Sequence, residues 1–112
     1  MKADVLPAKQ ALEMATIGGA GVIKREKDLG SLEAGKLADL IVVGMDAAHQ
    51  TPLYNVYSQL VYATKGSDVE TVMVNGRFLM EERKVKTLEA EAVKASARAL
   101  RDQIRKSVAS RK

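Results

Sequence analysis

The sequence predicts an α+β fold, a small sheet with helices at both ends of the chain, on three observations. Asn75-Gly76 stands between two extended apolar runs, Val69 to Val74 and Arg77 to Met80. Ala38 to Val43 is apolar apart from Asp39 and follows a glycine-bearing turn. Toward each chain end, apolar residues recur at a spacing of three to four, the helical period.

Taken in order, Pro7 suits the first turn of a helix over about Pro7 to Ile17, with Leu6, Ala11, Met14, Ala15 and Ile17 as its apolar stripe. Gly18-Gly19 is expected to interrupt it, leaving one further turn over Ala20 to Ile23 before the charged loop 24–28. Gly19-Ala20-Gly21 is no phosphate loop, because no strand precedes it and no Gly-Lys-Ser/Thr element follows. Leu29 to Val43, LGSLEAGKLADLIVV, reads as a tight turn at Gly30 and Gly35 feeding a strand covered on both faces.

A polar loop with Pro52 spans residues 46–53. Leu53, Val56, Tyr57, Leu60, Val61 and Thr64 fit a short helix. Its three tyrosines suit a base-stacking platform less well than packing against the sheet, since Lys65 is the one cation near them. Val69 to Val74, Asn75-Gly76 and Arg77 to Met80 then form a hairpin, with both turn residues at positive φ. Glu81 to Lys84 either turns or extends the strand, and Val85 closes it.

Thr87 is placed to cap the last helix, with Glu89 and Glu91 in its first turn and cations toward its end, matching the helix dipole. Leu88, Val93, Ala97, Leu100, Ile104 and Val108 form a narrow apolar stripe expected to pack. Asp102 is spaced for weak pairing with Arg98 and Lys106.

Length and composition set the limits. At 112 residues and 46% apolar, the chain holds one compact unit. With no cysteine and one histidine, His49, it lacks the ligand set of a typical zinc site, and no calcium-type acidic loop is present. It has no apolar run long enough to cross a bilayer and no signal-peptide core, so no membrane partner and a cytoplasmic location are expected. The net charge of +4 comes from the last segment, where seven basic residues face three acidic ones after Thr87, against eleven of each before it. With the cations read as spread over several faces and no recognition motif present, nucleic-acid binding is disfavoured.

Read together, LPAKQALEMATIGGAGVI, LGSLEAGKLADLIVV and TPLYNVYSQLVYATKGSDVETVMVNGRFLMEERKV resemble the C-terminal portion of the methylthioadenosine and S-adenosylhomocysteine deaminases, which are similar to chlorohydrolase-type amidohydrolases. The resemblance covers residues 5–108. It implies the C-terminal share of a composite β-sandwich with flanking helices, the tail of a metal-dependent hydrolase whose TIM barrel is absent. Residues 1–28 would be the last helical segment of that barrel, 29–86 the sandwich portion and 87–112 a basic C-terminal helix.

In such enzymes zinc or iron is held by a His-x-His pair, two further His and an Asp, all upstream of the segment present here. None maps onto this chain, so the resemblance implies no catalytic, cofactor-binding or metal residue in it. His49 reads as a surface histidine, and Asp39 and Asp68 as turn and backbone-capping residues. Two positions depart from the family, Arg83 where a turn-former is usual and Gln59 where His is as common. The partners implied are the parent barrel and a second copy, through an open strand edge or the N-terminal helix. The competing readings are a free-standing module whose basic helix binds nucleic acid or protein, and a complete chain that partners a separate barrel.

Overall fold

The computed structural model describes residues 5–110. Its N-terminal helix starts after Pro7 and runs as Ala8–Glu13 (α1), a widened π-helical turn over Met14–Gly18, and Gly19–Val22 (α2). The expected break at Gly18-Gly19 does not occur, for both glycines hold right-handed helical angles, φ −64° and −60°. The wide turn brings carbonyls under them instead. A Cβ on Gly18 would lie 3.1 Å from Glu13 O. The chain stops being helical at Ile23, and Lys24 turns it at φ 57°.

Four strands form one antiparallel sheet in the order β1-β2-β3-β4: Leu40–Val43, Val69–Val74, Arg77–Glu81 and Lys84–Val85. The Asn75-Gly76 turn has φ of 48° and 75°, as its sequence requires, and pairs Val74 with Arg77. A second two-residue turn follows, with Glu82 at 46° and Arg83 at 62°, and joins β3 to β4. Position 83 is thus a turn position held by arginine in the conformation usually given to glycine.

β1 pairs with β2 as Leu40↔Met73, Ile41↔Val72 and Val42↔Thr71, with a bulge before Val43↔Val69. The strand is shorter than its apolar run, and it is not covered on both faces: Ile41 is 56% exposed. Aliphatic composition reports that a strand is made for burial, not what covers it.

Between β1 and β2 lies a short helix, α3 (Val56–Ser58), capped by Asn55 Oδ1, which accepts the Ser58 N–H at 3.0 Å, and continued by a wide turn over Gln59–Ala63. This helix packs on α1. The expectation that the tyrosines are buried against the sheet fails on their exposure, 91% at Tyr54, 72% at Tyr62 and 42% at Tyr57.

The last helix, α4 (Ala90–Ala109), begins after Glu89, so Thr87 does not cap it and Leu88 lies outside it. Its apolar stripe is open: Val93, Leu100, Ile104 and Val108 are each more than half exposed. Asp102 pairs with the adjacent Arg101 at 2.8 Å, not with Arg98 or Lys106. The radius of gyration, 20.4 Å, exceeds the roughly 13 Å of a compact domain this long. Among the described residues, Ala20 and Gln50 alone are buried.

Candidate functional site

Three places on the chain bring chemistry-bearing or apolar groups together. The first is a small cavity of about 120 Å³ between the end of β1 and the start of β2, lined by Gly44, Asp46, Gln50, Asp68, Glu70 and Arg83 among others. Asp68 organises it. Its Oδ2 accepts the Lys65 N–H at 2.7 Å and lies 2.8 Å from His49 Nε2. The Lys65 N–H, and after it His49, hold the Asp68 carboxyl below its ordinary pKa. Gln50 seals the other wall, donating to Gly44 O at 2.8 Å while its Oε1 accepts the Ala47 N–H at 3.4 Å. Arg83 donates to Ser67 O and, at 3.2 Å, to Val69 O.

Every polar group in this cavity that touches another serves to fix backbone. Asp68 is held ionised by donors and occupied by them, which suits neither a general base nor an acid. Because its pKa is lowered on folding, it stabilises the chain above its unfolded value, and the benefit is lost as pH falls through the folded one. We expect Asp68→Asn to lower the melting temperature at neutral pH and the gap from the wild type to close in acid. A gap that stays constant down to the acid transition would show that the carboxylate's charge is not what the site uses.

The second place is the turn of the β2–β3 hairpin. Asp39 Oδ1 accepts the Asn75 N–H at 2.6 Å, and Ala38 O accepts the Gly76 N–H at 3.0 Å. Asp39 therefore ties the entry of β1 to the hairpin tip, and the structure does not bring it to His49 and Asp68. Among the described residues no three His, Asp or Glu side chains meet at a spacing that holds a metal ion. The donor set does not fit the zinc or iron that the resemblance implies for the parent.

The third place is a groove of about 560 Å³ between the N-terminal helix, the 29–32 loop and one face of β1 and β2, walled by Ala20, Ile23, Leu32, Ile41 and Val74 among others. Gly30 makes its floor possible. At φ 89° it lies so close to the helix that a Cβ would stand 2.7 Å from Ile17 Cα. Lys36 braces the same loop, donating to Glu26 O at 2.7 Å and Ser31 Oγ at 2.6 Å and pairing with Glu33 at 2.9 Å. The groove is lined mostly by apolar atoms, and the one carboxylate in its lining, Asp39, is the one already bonded to the Asn75 N–H.

Sequence reasoning missed Gln50, Lys36 and the pairing of His49 with Asp68. It also read the cations of α4 as spread over several faces. On a helix of 3.6 residues per turn, Lys94, Arg98, Arg101 and Arg105 instead fall within about 60° of arc, and Lys106 alone stands apart.

Comparison with known proteins gives this architecture a context. Residues 1–79 match the Amidohydrolase family. A 5-methylthioadenosine/S-adenosylhomocysteine deaminase of Moorella thermoacetica is 55% identical over 91 residues, which are 81% of this chain and 21% of the relative. An adenosine deaminase from Xanthomonas campestris, solved with bound zinc, superimposes with a TM-score of 0.82 at 37% identity over 94% of this chain and 24% of that one. An atrazine chlorohydrolase from Arthrobacter aurescens, complexed with zinc, does so with a TM-score of 0.73 at 30% identity over 85% of this chain and 21% of that one. The chain thus spans about a fifth of the length of the curated relative it matches. With the family matched along most of its residues and the fold matched along nearly all of them, the chain belongs to the amidohydrolase family.

Proposed function

We propose that this chain is a non-catalytic C-terminal part of a metal-dependent aminohydrolase that deaminates a purine nucleoside-type substrate such as methylthioadenosine or S-adenosylhomocysteine. The observation that carries the reading is the 55% identity to a protein with that named activity across four fifths of this chain. Residues 1–28 would lie against the barrel, 29–86 would supply strands to a composite sandwich and 87–112 would form the closing helix. The metal, zinc or iron, would be held by residues of the parent enzyme. The open groove and the exposed apolar residues of β1 and the N-terminal helix are the surfaces that the remainder of such an enzyme would cover.

A chimaera tests this. The full chain replaces the matching segment of the Xanthomonas adenosine deaminase, and adenosine and methylthioadenosine deamination is followed together with bound zinc. Deamination by the chimaera and none by the chain alone is the expected result. A folded, zinc-loaded chimaera without deaminase activity would sink the reading, as would activity in the isolated chain. In isolation an open strand edge or the N-terminal helix is expected to pair with a second copy. Sedimentation of the same preparation checks it, and a monomer of 12.1 kDa at micromolar concentration would rule it out.

A further inference from the structure

We propose that α4 is a docking helix for a protein surface of defined chemistry: an apolar strip edged along one side by carboxylates, carried by the part of the deaminase that this chain does not contain. The inference rests on the functional reading above. Its basis is an asymmetry. The apolar row of Val93, Ala97, Leu100, Ile104 and Val108 occupies about 80° of the helix surface. The row of Lys94, Arg98, Arg101 and Arg105 borders it on one side only. Along the other side run Ser96, Gln103 and Ser107, all uncharged.

The basic row runs eleven helical steps from Lys94 to Arg105, about 16 Å, so its partner needs acidic groups about 5 to 6 Å apart beside an apolar strip. Two of the cations are tied to acids on the solvent side of the row, Lys94 to Glu91 at 2.7 Å and Arg101 to Asp102 at 2.8 Å. Both pairs are exposed and therefore easily exchanged for an acid on a partner. Arg98 and Arg105 make no ion pair among the described residues.

The same asymmetry disfavours other occupants. A second α4 packed antiparallel, apolar row on apolar row, brings like flanks together and sets Arg101 against its own counterpart. A parallel pair sets each basic row beside the other copy's Ser96, Gln103 and Ser107 flank and leaves its charge without an acidic partner. A helix lying in a lipid interface sends cations to the headgroups from both sides of its apolar face, and here one side has none. An acid-edged protein groove satisfies both flanks at once.

Hydrogen exchange at the α4 amides, in the chimaera and in the chain alone, tests the proposal. We expect exchange at least tenfold slower in the chimaera. That protection should be lost in the Arg98→Glu, Arg101→Glu, Arg105→Glu variant and kept in the Ser96→Glu, Gln103→Glu, Ser107→Glu variant, with the single Arg101→Glu intermediate. Equal loss in the two triple variants, or equally fast exchange in chimaera and chain, overturns it. So does protection of the isolated chain that rises with its own concentration, or protection on phosphatidylglycerol vesicles that the chimaera does not show. An active chimaera with an unprotected α4 refutes the docking and leaves the deaminase reading standing. An inactive one with a protected α4 does the reverse.

Discussion

Gly30→Ala is expected to lower the stability of the chain by about 3 kcal/mol or more, enough to move its melting temperature by roughly 15 °C. Two causes add. A left-handed φ of 89° strains any residue with a Cβ, and the new methyl would stand 2.7 Å from Ile17 Cα, 2.9 Å from Ala20 Cβ and 3.0 Å from Thr16 O. Two of those three atoms are backbone and cannot swing aside. Gly35 separates the causes, because at φ 92° it has nothing within 4 Å of an added Cβ. Gly35→Ala should therefore cost only the strain, about 1 to 2 kcal/mol. Thermal melts of the two variants side by side are the measurement. Equal losses would mean that the loop lifts away from the helix at little cost and that the close approach is not a constraint.

Gln50→Leu is the second large effect, with an expected loss of about 2 to 4 kcal/mol. Gln50 is 2% exposed, the most buried large side chain described, and it holds the 44–50 loop by donating to Gly44 O and accepting from Ala47. Leucine fills nearly the same volume, so no cavity term confuses the result. What remains is an orphaned Gly44 carbonyl and an orphaned Ala47 N–H beside a leucine side chain. Urea unfolding of wild type and variant at neutral pH reads it. A variant as stable as the wild type would show that water enters the cavity and takes over both bonds.

Local chemistry was legible in the sequence and non-local cover was not. Asn75-Gly76 announces a hairpin because few other residue pairs accept two consecutive positive φ values, and the structure has that turn. Gly18-Gly19 looks like a helix stop by the same reasoning, yet glycine also fits a helical turn wide enough to crowd a Cβ against a carbonyl, and that use has no signature of its own. The size of its rings assigns the 53–64 segment to the sheet, but the tyrosines stay largely exposed, and the surface its helix meets depends on α3 choosing α1 as its neighbour. Gln50 escapes any search for apolar periodicity. His49 and Asp68 are nineteen residues apart, and nothing local in either predicts the contact. The basic row of α4 is visible in the spacing of Lys94, Arg98, Arg101 and Arg105, and it looks spread over several faces only when Lys106, which stands apart, is counted with them.

The long connection between β1 and β2 has a kinetic side. β2, β3 and β4 are joined by two-residue turns, so they can zip from local contacts within microseconds. β1 must first close residues 44–68 into a loop, which costs chain entropy that the hairpins do not spend. The bonds from Gly44 N to Asp68 O at 2.9 Å and from Gln50 to Gly44 shorten that search only once they have formed. β1 is accordingly expected to join the sheet after the hairpins have formed. A nascent chain, in which β1 emerges before β2, must hold that aliphatic strand unpaired for the time needed to synthesise everything between them.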